Sequence, residues 1–159
     1  DWLPQETILF DGARLDRALE VELEGDASLF AIEAILLGRS AMGETARNAR
    51  LRDNWRIHRD GRLIHAEATR LSAAELERDA LSTLAGNAAF ATLVYLGADA
   101  EQREARVAGL VSGPSGLSRI GDRLVIRAMA ESGLALRRII TPIIAELSGA
   151  GALPRLWHL

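Results

Sequence analysis

The sequence predicts a mainly β protein with helices in the middle and at the C-terminal end, and three observations carry that prediction. Residues 19–24 alternate apolar and acidic side chains, which is the period-two pattern of a half-buried strand. Asp60-Gly61 lies between two strand-like runs in residues 55–68 and is a preferred two-residue hairpin turn. Residues 29–37 are apolar on both faces and short for a helix. We therefore predict a buried strand there, although its alanines also permit a helix.

The remaining elements follow from turn residues and helix signals. A capping box that begins at Ser72 predicts a short helix through about Leu84. Residues 132–149 carry an isoleucine-rich stripe at helical spacing, and Pro142 within it predicts a kink or a restart. Further strands are predicted at residues 7–10, 88–96 and 123–130, a charged helix at 98–107 and a loop at 112–116.

The hairpin turn also predicts a register. We expect the cross-strand pairs Arg59–Arg62, His58–Leu63 and Ile57–Ile64. One apolar face would then hold Trp55, Ile57, Ile64, Ala66 and Ala68. His58 and His65 would share the other, more polar face at diagonal positions about 7–8 Å apart. They can share a metal there, but two solvated histidines are the favoured interpretation because a stable zinc or nickel site usually needs three or four ligands.

Composition and charge exclude several classes of protein. A chain of 159 residues fits one domain, residues 1–159, and its net charge is −3. The arginines alternate with acids instead of clustering, which argues against a nucleic-acid groove. The absence of cysteine excludes disulfides, thiolate metal sites and cysteine nucleophiles, and it suits a reducing cytoplasm. No apolar run reaches the roughly 20 residues that span a bilayer. Because the chain begins at Asp1 instead of Met, we expect a piece of a longer protein.

Four acidic residues are the candidates for chemistry. Glu33 lies inside an apolar run, where a carboxylate must be paired or protonated because its desolvation is costly. It can pair with an arginine such as Arg39 or face solvent. Glu6, Asp11 and Glu44 lie beside proline or glycine turns, and solvated acids are the ordinary interpretation of each. The sequence holds neither a phosphate-binding loop nor a nucleophile elbow. A hydrolase that uses two carboxylates and a plain oligomerising module remain open as alternatives.

Several short sequence motifs, in the same order along essentially the whole chain, resemble the urease accessory protein D family, also called H. The first is WLPQET at 2–7 with FDGA at 10–13. The second is GRSAMGE at 38–44 with WRIHRDG at 55–61. The third is RLVIR at 123–127 with LRR at 136–138 and LPRLW at 153–157. The resemblance implies a two-layered, helically wound, β-helix-like stack of strands with C-terminal helices. It also implies an additional strand-rich N-terminal section that this chain lacks.

The same resemblance implies a function. Members of that family are scaffolds, not enzymes, that dock on apo-urease and on accessory proteins F and G and pass nickel toward the urease active site. It therefore implies a cytoplasmic protein without a tightly bound cofactor, with homo-oligomers formed through the complex. A nickel path needs oxygen ligands that bind weakly enough to release the ion. Under this hypothesis Glu6, Asp11, Glu33 and Glu44 are the expected transient nickel ligands.

Overall fold

The computed structural model describes residues 1–72, 84–149 and 153–158. The helix that the sequence predicts from Ser72 to about Leu84 lies outside the described residues. The strands are β1 (Thr7–Leu9), β2 (Arg14–Leu23), β3 (Leu29–Leu37), β4 (Arg50–Arg59), β5 (Arg62–Leu71), β6 (Ala89–Leu96), β7 (Ser115–Ile120) and β8 (Arg123–Ala130). The α-helices are α1 (Ala100–Val107) and α2 (Gly133–Leu147), and 3₁₀ turns lie at Ser40–Met42 and Arg155–Trp157.

This architecture confirms a mainly β protein with two sheets and two helices in the described part of the chain. The buried strand at Leu29–Leu37 is present as predicted. β2 begins at Arg14, five residues before the predicted alternation, and β7 occupies part of the predicted loop and was not anticipated. Among the described residues, one α-helix and one 3₁₀ turn form the C-terminal helical part.

Two compact units divide the chain. The first contains residues 1–7, 28–36 and 87–159, and the second contains residues 8–27 and 37–86. The strands form a five-stranded sheet in the order β1-β3-β6-β8-β7 and a three-stranded sheet in the order β2-β4-β5. β2 pairs parallel with β4 although β3 of the other sheet lies between them in sequence. Parallel neighbours need such a crossover, and the helical winding of the strands stays a prediction.

In the first unit, α2 packs its apolar face on the antiparallel strands β6 and β8. Ser132 caps the helix by accepting a hydrogen bond from the Ala135 N–H at 3.2 Å. α2 runs through Pro142 as one helix, without the predicted restart, and Pro142 lies on its exposed face. The buried apolar residues of the helix are Leu136, Ile140, Ile143, Ile144 and Leu147, and Thr141 is buried beside them.

In the second unit, the β4–β5 hairpin confirms the predicted turn but corrects the predicted register. Asp60 and Gly61 both have positive φ, at 50° and 74°, as a type I′ turn requires. The pairs nearest the turn are as predicted, but a β-bulge at Ile57/His58 sets Ile57 opposite His65 instead of Ile64. A one-residue shift exchanges the two faces of β5. Ala66 and Ala68 are therefore exposed, and the prediction that they join Trp55 on the apolar face was wrong.

Candidate functional site

Glu6, which precedes β1, forms a two-pronged ion pair with Arg137 of α2 in the first unit. Arg137 Nη2 donates to Glu6 Oε2 at 2.8 Å, and Arg137 Nε donates to the other carboxylate oxygen. Only 6% of the Glu6 side chain is exposed. Burial raises the pKa of Glu6, but the Arg137 hydrogen bonds and charge outweigh it, so the pKa lies below its usual 4.5. Glu6 is thus held as a charged, partnered carboxylate.

The C-terminal word LPRLW packs into the same region. Trp157 is fully buried and its indole Nε1 donates to the Leu3 carbonyl at 3.2 Å. The Arg137 guanidinium carbon lies 5.4 Å from the centre of the Trp157 ring, in cation–π range. Arg137 Nη1 also donates to the His158 carbonyl at 3.3 Å. Side chains and backbone from both ends of the chain are therefore joined through one arginine and one indole.

Glu33 lies on β3 and is buried, with 6% of the residue exposed. The Trp2 indole Nε1 donates to its Oε1 at 3.3 Å. Trp2 is held in place by a parallel bridge to Ala31. The sequence left open whether Glu33 pairs with an arginine such as Arg39 or faces solvent. Glu33 is buried, so it does not face solvent, and Arg39 contacts Glu44 instead.

Asp11 and Glu44 come together in the second unit. The Asp11 backbone N–H donates to Glu44 Oε1 at 2.7 Å, and Arg39 Nε donates to Glu44 Oε2 at 2.5 Å. Asp11 in turn accepts from the Asn48 backbone N–H at 2.7 Å and from its side-chain amide at 3.2 Å. Gly38 completes the loop: its φ is +81°, and a Cβ there would collide with the Glu44 backbone carbonyl. Only glycine fits that position.

These contacts lower the pKa of both loop carboxylates. Backbone and side-chain donation from Asn48 holds the pKa of Asp11 below 3.8. Donation from the Asp11 N–H, followed by that from Arg39, holds the pKa of Glu44 below 4.5. A lowered folded-state pKa stabilises the fold above the unfolded-state value, and that contribution is lost as the pH falls through the folded-state value. The loop is therefore held together by ionised carboxylates at neutral pH.

The structure brings together only one pair of the four predicted ligands. Asp11 and Glu44 share a hydrogen bond, whereas Glu6 and Glu33 each have a separate partner in the first unit. Within residues 1–72, 84–149 and 153–158, no three His, Cys, Asp or Glu side chains lie close enough to hold one metal ion.

The predicted arrangement of the two hairpin histidines was wrong. Because of the bulge, His65 lies opposite Ile57 and is buried, with 6% of the residue exposed. His58 lies on the other face, where its Nδ1 is 3.1 Å from Glu22 Oε1 of β2. The two imidazoles therefore cannot share a metal in the way that the unbulged register implied.

The sequence patterns did not predict two buried polar groups. Asp53 of β4 is 5% exposed and accepts a bond from Arg17 Nη2 at 2.8 Å. The available signal was its place two residues before Trp55, on the buried side of an alternating strand. The other group is the phenol of Tyr95, which donates to Asp99, beside Arg103. Burial, followed by that bond, raises the pKa of Tyr95 to about 12.

Taken together, the fold and these contacts define a β-rich protein whose singled-out acids are each engaged in internal hydrogen bonds. No helix in the described ranges is both long and apolar enough to cross a bilayer. A family model described as UreD urease accessory protein matches residues 1–158. The chain belongs to the UreD family.

Curated relatives agree with that assignment. A protein named urease accessory protein UreD from Chelativorans is 60% identical over all of this chain and 58% of its own length. The proteins of the same name from Rhizobium etli and Agrobacterium fabrum are 50% and 43% identical, over 59% and 56% of their own lengths. The chain thus spans less than two thirds of the length of these relatives. Their shared name denotes an accessory protein and not an enzyme.

Proposed function

We propose that this chain acts in urease maturation as a scaffold that docks on apo-urease, together with accessory proteins F and G, and helps to deliver nickel in the cytoplasm. The observation that carries the proposal is the UreD family match over residues 1–158. The names of the curated relatives support the same role. The homo-oligomers expected within the complex belong to the same proposal.

Nickel is the cargo in this proposal, and carboxylate oxygens of the chain are its transient ligands. Oxygen donors hold such a cation more loosely than imidazole or thiolate donors do. Arg39 and Arg137 already neutralise Glu44 and Glu6, so an arriving cation must compete with a guanidinium. Competition of that kind weakens binding and favours release. The arrangement therefore supports a ligand that hands nickel onward instead of storing it.

Glu33 and the Asp11–Glu44 pair are the sharpest test of the nickel role. Glu33→Gln keeps the size of the side chain and an oxygen that accepts the Trp2 indole bond, but it removes the charge. We expect Glu33→Gln and the double variant Asp11→Asn/Glu44→Gln each to slow nickel loading of urease about tenfold, the lower end of what a lost metal-site contact costs. The measurement is nickel per urease, by mass spectrometry, in urease purified from cells expressing each variant.

The matched control is Glu20→Gln. Glu20 is exposed on β2, and its substitution removes the same charge at a position away from the candidate ligands. Recovery of the accessory complex must be equal for all variants. Normal nickel content in every carboxylate variant would reject these residues as nickel ligands. Glu6→Gln and the double variant also need a separate folding measurement, since the first disrupts the pair with Arg137 and the second the loop contacts with Arg39 and Asn48.

A further inference from the structure

One end of the three-stranded sheet concentrates positive charge in a chain whose net charge is −3. Arg14 of β2 lies directly opposite Arg50 of β4, and Arg52 of β4 lies directly opposite Arg70 of β5. All four residues are exposed. Residues at i and i+2 of a strand share a face, so Arg50 and Arg52 point the same way. Like charges that face each other across a sheet destabilise it.

The other end of the same sheet face is arranged differently. There Glu20 faces Arg56 and Glu22 faces His58, so acids on β2 oppose basic residues on β4. At the arginine-rich end the single acid is Asp16, which lies 4.0 Å from Arg52 with 70% of its side chain exposed. Within the described residues, Arg50 and Arg70 have no carboxylate within 4.0 Å. Among the residues that the structure describes, the contrast between the two ends marks a place where positive charge exceeds the neighbouring negative charge.

These arginines also shape a concavity. Arg50, Arg52 and Arg70, together with Leu51, Leu71 and Ser72, line a pocket of about 170 Å³. That volume suits one small ligand group. Arginine presents a planar fork of N–H donors that matches the oxygens of phosphate and carboxylate groups. Three positive charges around one small pocket match a dianionic group better than a single carboxylate.

We propose that Arg50, Arg52 and Arg70 form a binding site for one phosphate group, supplied either as inorganic phosphate or as the terminal phosphate of a monoester. The ligand offsets the repulsion between the facing Arg52 and Arg70. The site is independent of the carboxylates assigned to nickel, because none of them lines the pocket. It would remain if the proposed role in urease maturation were rejected.

Titration of the 159-residue chain with inorganic phosphate, at constant ionic strength, tests the site by isothermal calorimetry. We expect saturable binding of one phosphate per chain, weakened about tenfold by Arg52→Gln or Arg70→Gln, because each removes a charge-assisted hydrogen-bonding fork. Phosphate should also raise the melting temperature of the wild-type chain but not that of the double variant Arg52→Gln/Arg70→Gln. A parallel titration with adenosine monophosphate distinguishes the two sources: tighter binding indicates a monoester, and weaker binding indicates inorganic phosphate.

The matched control is Arg138→Gln, which removes the same charge from an exposed position on α2. We expect it to bind phosphate as the wild-type chain does. No saturable binding of phosphate or monophosphate by the wild-type chain would overturn the proposal. Equal weakening by Arg138→Gln would also overturn it, because the effect would then come from net charge alone. Circular dichroism establishes that each variant is folded before its affinity is compared.

Discussion

Replacement of Arg137 by alanine is expected to lower the free energy of unfolding by about 2–3 kcal/mol, less than the cost of breaking a fully buried ion pair because this pair is partly buried. The Glu6 carboxylate, 6% exposed, would lose both donated hydrogen bonds. The Trp157 ring would lose its cation contact. Urea denaturation followed by circular dichroism measures the loss. Arg138→Ala is the control, since the neighbouring side chain is exposed and its removal should cost no more than about 0.5 kcal/mol.

The pH dependence of the stability of Arg137→Ala shows whether the loss comes from the Glu6 carboxylate. In the wild-type chain the lowered pKa of Glu6 stabilises the fold above pH 4.5, and that contribution is lost as the pH falls through the folded-state value. Without Arg137 the buried Glu6 carboxylate is unfavourable as an anion, so protonation of Glu6 stabilises the variant. The difference in the free energy of unfolding between the wild-type chain and Arg137→Ala should therefore shrink in acid. Adding Glu6→Gln should restore part of the stability of the variant at neutral pH. Equal losses for Arg137→Ala and Arg138→Ala would contradict this account.

Trp157→Ala is expected to cost about 3–5 kcal/mol, the usual range for emptying a buried aromatic position. Trp157 is fully buried in the core of the first unit, and its loss also leaves the Leu3 carbonyl without its indole donor. Thermal and urea unfolding of the 159-residue chain measure the change. The matched control is Leu156→Ala, because Leu156 is the preceding residue and is 50% exposed. Its expected cost is no more than about 0.5 kcal/mol.

Trp157→Phe separates packing from hydrogen bonding, since phenylalanine fills most of the space but has no N–H donor. We expect it to recover more than half of the loss seen in Trp157→Ala. If the alanine variants at positions 156 and 157 were equally stable, the closing word LPRLW would not be part of the core, and its similarity to the family would need another explanation.

The sequence predicted those elements whose signals are local. The apolar run Leu29–Leu37 became a buried strand, and Asp60-Gly61 became the hairpin turn because both residues accept positive φ. β7 was missed because its sequence, SGLSRI, has weak strand propensity and forms a strand by pairing with β8. The hairpin bulge was missed because alternation alone does not show where one extra residue enters a strand. That single residue moved His65 into a buried position.

The candidate site was predictable only in part. The words that resemble the UreD family contain the residues that contact one another, including Glu6, Arg137 and Trp157. Periodicity could not pair Glu6 with Arg137, because the two lie 131 positions apart in the chain. The apolar neighbours of Glu33 indicated burial but left solvent exposure open, and the indole that donates to its carboxylate comes from a separate segment. Tertiary contacts of this kind leave no regular spacing in a sequence.

Capture of apo-urease by the immobilised 159-residue chain tests the central claim most directly. The chain is incubated with purified apo-urease, alone and with accessory protein F, and the retained subunits are quantified by mass spectrometry against a blank resin. The scaffold account predicts that urease subunits are retained well above the blank. It also predicts that added free chain releases them by competing with the immobilised chain. Retention no greater than on the blank resin, both with and without protein F, would contradict it.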